Sequence, residues 1–298
     1  MRNIILFGAG AGSKNYVQAC KDNILAIADN NSGRVGETID SIPIIAPSSI
    51  GNYAFDNIVI TSQWAEDIKL QLVNELGIPI SDIEVPAKFE LKGKAPAFSD
   101  PATLELANNI LKSLCDSAYK NSIELYIDFG TLLGVARDNT VMPWDDDIDF
   151  AITKVPDQTF LNWLTQWRTS HHLPVTFEVE TRKDKHDDFI DFVLKFSHPD
   201  YQSFLTTICY RKEVDGQSLH MPSLGQWFAP QVHFSSPDYI EWQGINVQVP
   251  HDYENYLEFV YGDWKTPKKN MSMTDYANLN ELNHEDVTAM GMVSETIK

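Results

Sequence analysis

The chain has 298 residues, enough for two domains of ordinary size. Acidic side chains outnumber basic ones 42 to 23, a formal charge of -19. That balance argues against general nucleic-acid binding and leaves at most peripheral contact with an anionic membrane. Cys20, Cys115 and Cys209 are widely spaced, with neither a disulfide framework nor zinc spacing. No apolar run reaches bilayer length, and the apolar start runs at once into a glycine turn, unlike a signal peptide. The expected location is the cytoplasm.

Residues 4–7 read as a buried strand, followed by the turn Gly8-Ala9-Gly10-Ala11-Gly12-Ser13 and a helix to about Cys20. Further strands are expected at 24–28, 42–45 and 57–61. Residues 64–76 place Ile68, Leu72, Val73 and Leu76 on one helical face, with Gly77 as the stop. Strands separated by helices imply a parallel sheet, so residues 1–85 are expected to form an α/β, Rossmann-like domain. A glycine turn between strand and helix, with an acid ending the next strand, is the setting of a nucleotide or dinucleotide fingerprint. Gly8, Gly10, Gly12 and Asp29 are therefore the candidate cofactor-binding residues. Ser13 stands where that fingerprint ends in glycine or alanine, and the alternative is that these residues serve only the turns. No hydride-transfer set follows, which argues against a dehydrogenase.

Residues 86–99 carry two prolines and no clear period, and read as a linker. A long helix should follow, capped by Ser99 or Asp100, with Pro101 in its first turn and Leu104, Ala107, Leu111, Leu114, Cys115 and Ala118 as its apolar stripe. Then come a strand at 123–129, a Gly130-Thr131 turn, a short helix to Arg137, a loop, and a strand at 147–152. A helix at 158–169 and strands near 175–180 and 189–196 complete what periodicity assigns. The aromatic-rich stretch beyond Leu219 yields no assignment, and 271–298 reads as a polar tail.

Asp145, Asp146, Asp147 and Asp149 fall within five consecutive positions beside apolar strand residues. Like charges packed this closely need a cation or water, and hard oxygen ligands favour Mg2+ or Mn2+ over zinc. Strand alternation points Asp147 and Asp149 the same way and Asp146 elsewhere, with Asp145 joining them only if strand geometry extends back to it. The backbone N–H groups of Gly130-Thr131 could hold phosphate oxygens. Asp191, inside an apolar strand, is the candidate third carboxylate, and edge-strand exposure is the competing explanation.

Strand, glycine turn, helix and a strand with Asp-x-Asp is the arrangement of the nucleotidyltransferase fold. More narrowly, GTLLGVAR at 130–137 followed by PWDDDIDF at 143–150 resembles the LicD family, relatives of the fukutin-type transferases, over roughly residues 100–270. Tyr261-Gly262-Asp263-Trp264-Lys265-Thr266-Pro267 resembles the family's ending, and the zinc-binding cysteine quartet of some fukutin-type members is absent. The resemblance implies an α+β nucleotidyltransferase-fold domain. It further implies transfer of phosphocholine, phosphoglycerol or phosphoribitol from a CDP-activated alcohol to a glycan or glycolipid hydroxyl, releasing CMP. Such reactions decorate lipopolysaccharide, teichoic acid or capsule.

On this reading Asp147, Asp149 and Asp191 are catalytic metal ligands, Asp191 alternatively the base on the acceptor hydroxyl. Arg137 would hold a donor phosphate, or else form a structural ion pair. Gly130, Thr131, Asp145, Trp144 and Lys265 are candidate substrate contacts. Lys265, Lys268 and Lys269 form a basic patch, and Trp227, Phe228, Trp242, Tyr253, Tyr256 and Tyr261 are either an aromatic cage for a choline ammonium or core residues. Two other classes stay open: nucleotidyl transfer from an NTP, and non-catalytic nucleotide sensing.

Overall fold

A computed structural model describes residues 1–91, 95–268, 276, 278–280 and 293–296. The chain folds as two compact units, one made mainly of Met1–Ala95 and the other mainly of Pro96–Pro267. No helix among the described residues is long and apolar enough to cross a membrane.

In the first unit, strands β1 (Asn3–Phe7), β2 (Asn23–Ala28), β3 (Thr38–Ile39), β4 (Ile42–Ile45), β5 (Asn57–Ile60) and β6 (Ile83–Glu84) form one sheet in the order β3-β4-β2-β1-β5-β6. Every pair is parallel except β3–β4. Setting β3 aside, the strands run 3-2-1-4-5, the order of a Rossmann-like, doubly wound sheet. Ile4, Ile5 and Leu6 of the central strand are wholly buried, as both faces of a parallel sheet require. Helix α1 (Ala11–Ala19) follows β1, and α2 (Ala65–Asn74) buries Ala65, Ile68 and Leu72, while Val73 and Leu76 are only half-buried.

The second unit opens with α3 (Pro101–Lys120), whose cap is Asp100: its carboxylate accepts the Thr103 N–H at 2.9 Å. The buried stripe runs through Leu106, Ala107, Ile110, Leu111, Leu114, Cys115 and Ala118, leaving Leu104 at the margin. There follow β7 (Tyr126–Ile127), α4 (Phe129–Asp138), β8 (Asp147–Ile152), α5 (Gln158–Ser170), β9 (Glu178–Lys183), β10 (Phe189–Lys195), β11 (Leu205–Val214), β12 (Gln217–His220), β13 (Phe228–Pro230), a hairpin of β14 (Pro237–Trp242) with β15 (Ile245–Pro250), α6 (Tyr253–Tyr261) and β16 (Val293–Thr296).

The large sheet runs β13-β12-β11-β10-β9-β16. Along one edge of β11, β8 lies parallel to its first half and β12 antiparallel to its second. Alternation then sorts the two faces. Ile148, Phe150, Ile190 and Phe192 face α5, where Phe160 stacks on Phe192 at 5.7 Å. The Trp163 and Trp167 indoles donate to Ser117 and Ser113, tying α5 to α3. The opposite face carries Asp147, Asp149, Thr207, Cys209, Arg211 and Asp191.

Three sequence expectations change. The strand expected at 123–129 shrinks to two residues because Asp128 caps α4 and Phe129 is already helical. The strand expected at 175–180 lies at Glu178–Lys183, and the ten-residue β11, absent from the expectations, occupies the middle of the sheet. Residues 92–94 of the expected linker, Lys269, and the tail apart from 276, 278–280 and 293–296 lie outside the described residues.

The loop after α4 turns back hard against the helix. A Cβ at Gly134 would sit 2.6 Å from the Thr140 carbonyl oxygen and 3.1 Å from the Met142 nitrogen. Gly134→Ala is expected to destabilise the second unit by about 1–3 kcal/mol, the usual cost of overpacking. A urea titration checks this as a lowered midpoint with an unchanged slope.

Candidate functional site

The site is built outward from Asp128, only 1% exposed. One carboxylate oxygen accepts the Phe129 N–H at 2.8 Å and the Tyr256 hydroxyl; the other accepts Arg211 Nε at 2.7 Å. Arg211 is equally buried, donates to Tyr256 Oη at 3.1 Å, and lies 4.9 Å and 4.4 Å from the Phe129 and Phe234 ring centres. Burial, with the Asp128 carboxylate adding to it, holds the Tyr256 phenol well above its ordinary range and so protonated. The Asp128 N–H donates to the Asp149 carbonyl at 3.0 Å, joining the start of α4 to β8. Phe129 opens the helix at φ 45, a left-handed conformation costly for a bulky residue, and is held by this network and by edge contacts with His220 and Trp227.

Gly130 and Thr131 therefore occupy the first turn of α4. A Cβ on Gly130 would fall 2.4 Å from Asp145 Oδ2, so the missing side chain is what admits that carboxylate. Thr131 is buried, and its hydroxyl accepts the Asp149 N–H at 2.9 Å, committing it to the strand backbone. The loop between is latched from α3, where Asn108 bonds Thr140 at 2.9 Å and accepts the Val141 N–H at 3.2 Å. Trp242 donates to the Asn139 carbonyl at 3.0 Å, and the Asp145 carbonyl accepts the Phe98 N–H at 3.2 Å.

One oxygen each of Asp145, Asp146 and Asp147 lies within 4.8 Å of the others, and all three residues are half-buried. Asp146, expected to face away, joins them because β8 starts only at Asp147; Asp145 and Asp146 lie in the loop before it, where two-residue alternation does not apply. Asp149 shares the face of Asp147, and its Oδ1 accepts the Thr207 hydroxyl at 2.8 Å. Three hard anionic oxygens in this space suit an oxygen-loving divalent cation such as Mg2+ or Mn2+.

Asp191 is not a member of that group. It is fully buried one strand beyond β11, opposite Cys209, and both its oxygens are taken by Arg182: Nε to Oδ1 at 2.7 Å and Nη2 to Oδ2. Burial raises its pKa, with the Arg182 hydrogen bonds pulling the other way. Cys209 lies between, its thiol pushed well up by burial and by the Asp149 and Asp191 charges.

Arg137 is largely buried and engages Asp138, the Trp264 carbonyl and Met142, with its guanidinium 5.7 Å from the centre of the Trp144 ring. Its ion pair is thus to Asp138, and it lies over one face of the half-buried Trp144. Lys265 is exposed and pairs with Glu254 at 3.3 Å. Of the aromatics considered for a cage, Trp227 touches Phe129, Phe228 touches Phe259, and Trp242 and Tyr256 are buried in the core.

In the first unit, Gly8 has φ +105, and a Cβ on Gly12 would meet the Thr61 carbonyl oxygen at 2.3 Å, so one glycine makes the turn and the other lets α1 pack on β5. The flank of Gly10 is open. Asp29 accepts the Ala9 N–H at 2.6 Å and the Asn31 N–H at 2.8 Å, closing its own turn onto the glycine loop. Ser13 bonds the Gly8 carbonyl and Thr61.

Residues 122–252 match the family described as LicD/FKTN/FKRP, nucleotidyltransferase domain, and residues 1–84 match C2185-like, N-terminal. The first match supports, at the level of the family, a phosphotransferase that modifies glycans. Among curated proteins no sequence matches the chain significantly. Similar solved structures include a myo-inositol dehydrogenase from Corynebacterium glutamicum, 14% identical, covering 84% of this chain and 81% of that one at a TM-score of 0.26. An oxidoreductase from Thermotoga maritima is 9% identical, covering 92% of each chain at a TM-score of 0.27. Superpositions that loose carry no inference about fold, cofactor or reaction.

Two outcomes test the geometry. Gly130→Ala should push the Asp145 carboxylate aside and weaken Mn2+ binding roughly tenfold or more, as loss of a supporting contact does elsewhere; electron spin resonance reads this alongside an unchanged thermal transition. Arg211→Met strands a buried Asp128 charge and should cost the second unit about 3–5 kcal/mol in chemical denaturation.

Proposed function

We propose that the second unit is a metal-dependent phosphotransferase that moves a phospho-alcohol from a CDP-activated donor to a sugar hydroxyl of a bacterial surface glycan, with CMP as leaving group. The observation that carries this reading is the close set of Asp145, Asp146 and Asp147 oxygens, which lies inside the segment matching the LicD family. Phosphocholine, phosphoglycerol and phosphoribitol are the transferred groups the family resemblance favours.

Asp147 belongs to the acidic group and shares its sheet face with Asp149, so Asp145, Asp146, Asp147 and Asp149 are the residues that would hold Mg2+ or Mn2+. A cation bound there supplies charge neutralisation for the phosphates and the departing CMP. The chain's own part is orientation. Thr131 and Thr207 fix Asp149 by its N–H and its Oδ1, and the open flank of Gly130 seats Asp145. In the transfer a bond forms between the acceptor oxygen and the alcohol-bearing phosphorus, the bond from that phosphorus to CMP breaks, and the acceptor hydroxyl's proton passes to solvent water.

A panel of CDP-linked alcohols assayed for CMP release, with nucleoside triphosphates in parallel, tests the donor class. Asp147→Asn and Asp149→Asn should each lower CMP release by roughly a hundredfold or more, the scale of losing one charge-stabilising group, while circular dichroism stays unchanged. Near-normal turnover in either variant overturns the assignment, and pyrophosphate release from a triphosphate would move the reading to nucleotidyl transfer.

A further inference from the structure

On the phosphotransferase reading, we propose that Arg137 is a positioning residue: it sets the turn that carries the acidic group, instead of touching the donor's phosphates. Its side chain is 7% exposed, and all three of its nitrogens donate inside the protein. Nε and Nη2 are turned to Asp138, the latter at 2.7 Å. Nη1 donates to the Trp264 carbonyl at 3.3 Å, and Nη2 also approaches Met142 Sδ at 3.4 Å. Asp138 is the next residue in the chain and 29% exposed, so that ion pair adds little stability. What it does is fix the plane of the guanidinium. A planar cation bonded along its edge keeps a flat face for an aromatic ring, and the Trp144 ring centre lies 5.7 Å from it.

The side chains Arg137 meets are those that aim the acidic residues. Met142, Pro143, Trp144 and Asp145 form a turn closed by the Asp145 N–H on the Met142 carbonyl at 3.0 Å. Pro143 takes the second position, where its fixed φ suits such a turn. That hydrogen bond shapes the turn but leaves open how it leans on α4. Arg137 decides this by meeting its first and third side chains, Met142 and Trp144. Asp145 is the last residue of the turn; its Oδ2 reaches the open flank of Gly130, and its Oδ1 accepts the Asp146 N–H at 3.1 Å. A turn tilted off α4 would carry the Asp145 and Asp146 oxygens away from Asp147, whose place is set by β8. The bond to Trp264 extends the hold. Trp264 is buried just beyond α6, and Tyr256 of α6 donates to Asp128. Both ends of α4, at Asp128 and at Arg137, are thereby tied to one stretch of chain.

The test is Mn2+ titration of the full chain without donor, read by electron spin resonance well below the thermal transition, with CMP release measured alongside. Arg137→Met keeps the bulk and removes the donors; it should weaken Mn2+ binding about tenfold, the scale of losing an outer support of a metal ligand. Arg137→Lys should rescue little, because an ammonium cannot bond acceptors along one edge and offer a flat face to a ring. Trp144→Ala should match Arg137→Met, and Trp144→Phe should bind as the parent does. The double variant Arg137→Met, Trp144→Ala should bind no more weakly than either single variant, because both act through one contact. Should Arg137→Met fail to fold, the two changes at the half-buried Trp144 carry the comparison. Parent-like Mn2+ affinity in Arg137→Met or Trp144→Ala, an additive loss in the double variant, or no Mn2+ binding by the parent overturns the proposal. A raised donor KM at unchanged Mn2+ affinity overturns it in favour of a phosphate contact. Arg137-dependent Mn2+ binding without turnover of any CDP-alcohol would keep the positioning role and sink the reaction assigned above; Mn2+ binding indifferent to Arg137, with CMP release intact, would do the reverse.

Discussion

The ion pair between Asp128 and Arg211 is the constraint from which the second unit's geometry follows. Both groups are buried, and the arginine also meets Tyr256 and two aromatic faces. Desolvating two charges is expensive, and the cost is offset only because nearly every donor and acceptor finds a partner. Asp128 at once accepts the first helical N–H, ends β7 and bonds the backbone of Asp149. The first turn of α4 and the start of β8 are thereby set against each other, and the strained Phe129 backbone is the local expense of that junction.

Around that junction, small groups let large charges approach. Gly130 admits the Asp145 carboxylate, Gly134 admits the returning loop, and the Thr131 and Thr207 hydroxyls fix Asp149 from two directions. The three neighbouring carboxylates are half-buried, where solvent still screens their repulsion. The same crowding deep in the core would drive protons onto them. Position at the rim of the sheet leaves all three within reach of solvent.

The sheet's two faces divide the labour. One is apolar and covered by α5, with Phe150, Phe160 and Phe192 buried there. The other is polar, and β11 is its spine: it lies parallel to β8, antiparallel to β10 and β12, and passes Thr207, Cys209 and Arg211 in succession beneath the site. The first unit follows a different logic, with a parallel sheet buried on both faces and a glycine loop shaped by close packing.

Local signals in the chain were enough to locate α3 with its cap at Ser99 or Asp100, the β1–α1 glycine loop, and β8 with Asp147 and Asp149 on one face. These depend on capping, turn chemistry and alternation, which act over a few residues. The motif resemblance was legible for the same reason, being contiguous. Strand neighbours were not, because pairing joins residues far apart in sequence: nothing near Asp191 announces Arg182, and nothing near Asp128 announces Arg211 and Tyr256. Alternation also stops where a strand stops, so the direction of Asp146 depended on where β8 begins. The chain alone determined which residues bear charge and which face of an element they occupy; only the tertiary structure decided which charges meet, since that depends on sheet order and on burial that no local pattern encodes.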